Sequence, residues 1–181
     1  MLYPIKINET FSDYPTPDDI AVIVYFQGCE HNCKNCQNKE LQICEDKNAK
    51  TLEETYNLIL NYCKRAATDK IVLSGGDPFY NKNKEQLKDM LSLISILESS
   101  NFQVCVYTGY SIEDIKRLYK EYSSFIKPTY VKCGVYIEEL RDPNMGKNDD
   151  SFILATKNQA FFKKINNKFS QISQSNVLFF N

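Results

Sequence analysis

Ala21-Val-Ile-Val-Tyr-Phe-Gln-Gly-Cys-Glu-His-Asn-Cys-Lys-Asn-Cys36 joins an unbroken apolar run to a loop that carries three cysteines. An apolar run of this length, ended by Gln27-Gly28, is the pattern of a strand buried on both faces of a parallel sheet. The C-x3-C-x2-C spacing cannot lie along one strand, whose side chains alternate between faces. Cys29, Cys33 and Cys36 can converge if their loop wraps a metal centre. A cubane of four irons normally takes four cysteines, so three would leave one iron with an exchangeable position, as in open catalytic zinc sites. Structural zinc, with Cys44 or His31 as fourth ligand, is the competing reading, although no second C-x-x-C occurs.

Strand and helix signals alternate outward from this loop. Thr51-Leu-Glu-Glu54 reads as a capping box, and the helix behind it puts Leu52, Tyr56, Ile59, Leu60 and Cys63 on one face. Ile71-Val-Leu73 is a short buried strand, ended by Ser74-Gly75-Gly76-Asp77-Pro78. A helix from about 83 to 98 carries Leu87, Met90, Leu91, Ile94 and Leu97 at helical spacing. Phe102–Tyr107 is a third strand, broken at Thr108-Gly109, and Ser111 caps a helix with Ile112, Ile115, Leu118 and Tyr119 inward. Thr129–Cys133 is a fourth strand. This alternation predicts an α/β fold with a mainly parallel sheet. Further on, Arg141–Asp150 reads as a loop, Phe152–Leu154 as a strand, and Phe161, Ile165, Phe169 and Ile172 as one helical face. Val177–Phe180 is too short to assign.

Composition narrows the function classes. Lys plus Arg (22) nearly balances Asp plus Glu (23), so the basic footprint of a nucleic-acid binder is missing. No stretch approaches the ~20 apolar residues of a membrane span, and the N-terminus lacks a signal-peptide core, so a cytoplasmic protein is expected. The seven cysteines are an odd number and do not fit a disulfide framework. Cys63 and Cys105 fall on buried-looking faces and read as core. Cys44, Cys133 and the single histidine, His31, are left without a role. With no internal repeat or second-domain boundary, residues 1–181 read as a single domain, its core at about 20–160 and a C-terminal extension at 160–181.

The Gly-Gly pair at 75–76 lets the backbone approach a ligand closely, and ligands of parallel sheets bind at the carboxyl ends of strands. A cysteine loop after the first strand and a glycine pair after the second would share one sheet edge. In this the sequence resembles the radical S-adenosylmethionine (SAM) superfamily. Gly28–Asn38, Leu73-Ser-Gly-Gly-Asp-Pro-Phe-Tyr80 and Tyr107-Thr-Gly-Tyr-Ser-Ile-Glu-Asp-Ile115 are similar to the activating proteins of anaerobic (class III) ribonucleoside-triphosphate reductase. Lys157-Asn-Gln159 resembles the Asn-Gln near that family's C-terminus, whereas Cys133-Gly134 replaces a late Asp-Gly.

The resemblance implies an open, partial (β/α) barrel of the radical SAM type, with about five to six mainly parallel strands instead of eight. It implies one 4Fe–4S cluster on Cys29, Cys33 and Cys36, its fourth iron open to SAM. Asn35 and Gln37 would lie near the adenine, with Gly75, Gly76 and Asp77 at the ammonium. The implied activity is an oxidoreductase's: reductive cleavage of SAM to a 5′-deoxyadenosyl radical that makes a glycyl radical on the reductase. A low-potential reductant such as flavodoxin would be the electron donor. An activase for another glycyl radical enzyme, a radical SAM enzyme acting on a small molecule, and a non-catalytic zinc module are the alternatives.

Overall fold

The computed structural model describes residues 1–11, 13–16, 19–80, 82–141 and 154–172. Its elements in chain order are β1 (Pro4–Thr10), β2 (Ala21–Phe26), α1 (Leu52–Ala66), β3 (Lys70–Gly75), α2 (Lys84–Ser99), β4 (Gln103–Thr108), α3 (Ile112–Glu121), β5 (Tyr130–Cys133), β6 (Ala160–Ile165) and β7 (Lys168–Ile172). Thr51 and Ser111 close capping boxes with Glu54 and Asp114, and the Asn83 side chain accepts from Glu85 and Gln86 amides, which fixes where each helix begins.

The strands lie in sequence order, β1 to β7, in one sheet. β2 to β5 are parallel, each crossing over through a helix, while β1, β6 and β7 add on antiparallel. β1 and β7 end the order unjoined, so the (β/α) arrangement is open, as expected. The strand number is a correction: the described residues hold seven, instead of about five to six. β1 was missed because most of its side chains are exposed and an edge strand needs little apolar content.

The second correction is the expected helix through Phe161, Ile165, Phe169 and Ile172, which is the β6–β7 hairpin. Asn166 and Asn167 both take left-handed φ (49° and 61°), as a two-residue type I′ turn requires. Side chains then alternate, Phe161 packing on one face of the sheet and Phe162 on the other. The expected strand at Phe152 and Ile153, the loop beyond Arg141 and the segment 177–180 lie outside the described residues.

Alternation also separates two cores. Val22, Val24, Ile71, Leu73, Val104, Val106, Val131 and Cys133 face the helices and meet Ile59, Leu91, Ile94 and Ile115. On the inner face, Ile23 pairs with Val72, Val72 with Cys105, and Cys105 with Tyr130, a dry layer completed by Tyr14 and Phe161. Two residues further along the strands the inner row turns polar: Tyr25 opposite Ser74, and Tyr107 opposite Lys132. The barrel interior is closed below and open at the strands' carboxyl ends. Cys63 and Cys105 are core residues as read, and burial pushes the Cys63 thiol up to about 12. Cys133 joins the helix-side core.

Glu98, near the end of α2 with its side chain mostly covered, pins the strands' amino ends. It accepts from the amides of Val104 (3.0 Å) and Thr129 (2.6 Å) and from Lys164 Nζ (2.7 Å). Alanine there strands two amides and leaves the largely buried Lys164 ammonium without its carboxylate, on the Lys127 carbonyl. Glu98→Ala is expected to cost about 3 kcal/mol, read as a lowered urea midpoint at unchanged slope.

Candidate active site

The cysteine loop begins where β2 runs out. Gly28 takes φ 105°, a conformation open to glycine, and turns the chain off the sheet. Two backbone bonds then close the loop's base: Gly28 N to Leu41 O (2.8 Å) and Cys29 N to Gln42 O (3.1 Å). Asn32 and Asn35 hold left-handed φ (48° and 56°), which asparagine tolerates better than other side-chain-bearing residues, and Cys36 N closes a turn on Cys33 O (3.2 Å). Cys29, Cys33 and Cys36 all line one cleft of about 460 Å³, a size suited to a small-molecule ligand. Burial pushes the Cys29 thiol up to about 11.

The Gly-Gly turn is stitched to this loop by its backbone. Gly76 N donates to Phe26 O (2.8 Å), Asp77 N to Gly28 O (2.7 Å), and Asn38 Nδ2 to Gly75 O (3.4 Å). A Cβ at Gly76 would lie 2.5 Å from Gly28 O and 2.7 Å from Leu41 O. Only a glycine allows the two motifs this close. Asn35, Gln37, Gly75 and Gly76 line the same cleft as the three cysteines, so seven of the eight residues singled out by sequence come together.

Asp77, the eighth, stands apart from the other seven. Its carboxylate is buried beneath the turn, outside the cleft wall. Oδ1 accepts from the Phe79 amide (2.9 Å), Oδ2 from the Gly109 amide (2.9 Å), and both oxygens lie 2.9 Å from Thr108 Oγ1. His31 Nε2 stands 2.6 Å from Oδ2, and this hydrogen bond raises the imidazole's pKa against the effect of its burial. Asp77 ties the end of β4 and the cysteine loop to the Gly-Gly turn.

Two further residues line the cleft, Lys132 without a clear sequence signal and Gln159 from the Asn-Gln pair already matched at 158–159. Lys132 on β5 is buried over the Tyr107 ring (4.1 Å) and lines the cleft floor; burial lowers its pKa to about 8. An isolated lysine in a strand gives no warning of such a place. Gln159 also lines the cleft, and its Nε2 donates to Gly134 O (2.9 Å) while Oε1 accepts from the Ala155 amide (2.9 Å). It fastens β6 to the loop after β5.

Three soft thiols on one cleft wall are the donor set of an iron–sulfur cluster. The other metal-binding side chains considered are otherwise engaged: His31 Nε2 on Asp77, and Cys44 Sγ against Gln86 Oε1 (3.6 Å), outside the cleft. Among the described residues no three His, Cys, Asp or Glu form a ligand group for a single metal ion.

The chain belongs to the 4Fe-4S single cluster domain family, whose model matches residues 19–151. Its metal centre is a 4Fe–4S cluster, in place of the zinc alternative. It is similar to the anaerobic ribonucleoside-triphosphate reductase-activating protein of Enterobacteria phage T4, at 26% identity over 59% of this chain and 67% of the relative. The protein of the same name from Escherichia coli K12 is 26% identical over 67% of this chain and 78% of its own. Among solved structures, QueE from Escherichia coli aligns with a TM-score of 0.45 and 15% identity, over 72% of this chain and 82% of the other. No helix among the described residues is long and apolar enough to cross a membrane.

Proposed function

We propose that the chain is a radical SAM activating enzyme that makes a glycyl radical on an anaerobic ribonucleoside-triphosphate reductase, and that residues 1–181 form a single domain for this purpose. The observation that carries the reading is the backbone stitching of the Gly-Gly turn to the cysteine loop, which puts a ligand-accepting turn beside three thiols in one cleft. The names of the phage and E. coli relatives support the partner.

Cys29, Cys33 and Cys36 would hold the 4Fe–4S cluster, leaving one iron for the amino and carboxylate groups of SAM. When bound, the reduced cluster supplies the electron that breaks the sulfonium C–S bond, giving methionine and a 5′-deoxyadenosyl radical that takes hydrogen from a glycine Cα of the partner. The protein supplies position and dryness. The bare backbone of Gly75 and Gly76 would face the ligand's ammonium, a role that passes from the Asp77 carboxylate to the turn that it anchors. Asn35 and Gln37 would bound the adenine, and Lys132 would be the cation facing the carboxylate. The open sheet would leave the cleft accessible to a loop of a folded partner, and a low-potential reductant such as flavodoxin would supply the electron.

Anaerobic reconstitution with iron and sulfide, followed by reduction and incubation with SAM and the reductase of the same genome, tests this. A glycyl radical signal in electron paramagnetic resonance is the expected result. Free 5′-deoxyadenosine with no protein radical on any glycyl radical partner would move the assignment to small-molecule chemistry.

A further inference from the structure

We propose that His31 is a positioning residue that sets the cluster-binding arc between Cys29 and Cys33, using Asp77 as its anchor. The inference rests on the reading that these cysteines, with Cys36, are cluster ligands. Its basis is a chain of contacts that neither the family match nor the names of the relatives describe.

The arc has no regular secondary structure, and its conformation must come from attachments. The imidazole is held on three sides. Nε2 is 2.6 Å from the Asp77 carboxylate, the Tyr110 ring meets it edge-on at 4.6 Å and 72°, and Gly109 leaves the space it fills. A Cβ at Gly109 would come within 2.4 Å of His31 Cδ2 and 2.6 Å of Nε2. Tyr110 in turn donates its hydroxyl hydrogen to the Glu30 carboxylate, gripping the neighbouring loop residue. The ends of β3 and β4 and the lead into α3 therefore converge on one side chain.

The same residue reaches the metal site through its backbone. His31 lies midway between Cys29 and Cys33, two residues from each, so its backbone is part of the arc that carries both sulfurs. Fixing the imidazole on Asp77 fixes the direction of the backbone amides on either side of it. Hydrogen bonds to cluster sulfurs are among the determinants of cluster potential, because they favour the more electron-rich reduced state. Outer partners of metal ligands also hold affinity, and their loss typically costs 10–100-fold. His31 then has two measurable effects: retention of iron and a less negative potential.

The test uses the full chain after anaerobic reconstitution and compares wild type with His31→Ala, His31→Gln and Gly109→Ala. His31→Ala is expected to release iron to a chelator about 10-fold faster and to shift the cluster midpoint potential to a more negative value. His31→Gln, whose side-chain amide can still donate to Asp77, should recover most of both. Gly109→Ala should reproduce the His31→Ala behaviour with the imidazole present, because the added methyl takes the ring's place. Thermal unfolding of the metal-free proteins separates these effects from a general loss of fold, since the cysteine loop lies outside both cores. Wild-type release and potential in His31→Ala would overturn the positioning role while leaving the cluster reading intact. An equal loss in His31→Ala and His31→Gln, with the metal-free fold intact, would overturn it too. Failure of the wild type to take up a four-iron cluster would sink the ligand reading itself.

Discussion

Cys33→Ala is expected to abolish stable cluster assembly, with iron per chain falling from four to a trace after reconstitution. The cysteine sits in a loop whose ends are fixed by Gly28–Leu41 and Cys29–Gln42 backbone bonds, so no neighbouring thiol can swing in to replace it. Cys44 is the nearest candidate in sequence, and its sulfur packs beside Gly28 and Gln86, outside the cleft. The loss in iron retention should exceed the ~100-fold that removing an outer partner can cause, because a ligand itself is gone. Cys29→Ala and Cys36→Ala should behave alike. Cys44→Ala should keep its iron and lose only local packing. The fold should survive in all of them, since both cores are built from strand and helix residues away from the loop. Iron and sulfide analysis with far-ultraviolet circular dichroism measures both outcomes. A fully loaded Cys33→Ala protein would remove Cys33 from the ligand set, and a cluster lost in Cys44→Ala would add Cys44 to it.

The same loop shows what local sequence can and cannot convey. The β2 run is apolar at nearly every position because helices cover one face and the inner core the other, so its character was legible without a partner strand. The capping box at Thr51 and the cap at Ser111 were legible because the interaction closes within four residues. The β6–β7 hairpin was not, since Phe161, Ile165, Phe169 and Ile172 satisfy helical spacing as well as strand alternation. The decisive signal was the Asn166-Asn167 pair, whose left-handed conformation helices avoid. In the site, the three cysteines and two glycines announced themselves through spacing and through the lack of a side chain. Asp77 was legible as part of its motif, but its bonds to the Phe79 and Gly109 amides were not. Whether a carboxylate meets a ligand or protein amides depends on Thr108 and Gly109, some 30 residues away (|i−j| of 31 and 32). Lys132 and His31 draw their roles from cross-strand neighbours and from burial, neither of which is written in their local sequence.

Gly76→Ala should be severely damaging for a single added methyl. The added Cβ would stand 2.5 Å from Gly28 O and 2.7 Å from Leu41 O, well inside van der Waals contact. Neither oxygen can retreat cheaply. Gly28 O accepts the Asp77 amide at 2.7 Å, and Leu41 O accepts the Gly28 amide at 2.8 Å, so relief breaks one of the bonds that join turn and loop. Overpacking of this kind costs about 1–3 kcal/mol, and each lost backbone bond adds about 1 kcal/mol. The sum is about 3 kcal/mol, directed at the mouth of the cleft instead of the sheet, and 1.4 kcal/mol is a factor of ten. SAM affinity should therefore fall about 100-fold, while the cluster, held by the far side of the loop, is still assembled. Gly109→Ala is the contrasting case, because the three atoms nearest its methyl all belong to the His31 ring, and it should trouble the cluster more than the ligand. The change that SAM induces in the electron paramagnetic resonance spectrum of the reduced cluster reads binding directly. Wild-type SAM affinity in Gly76→Ala would mean that turn and loop need not touch, and the backbone stitching would lose its claim to define the site.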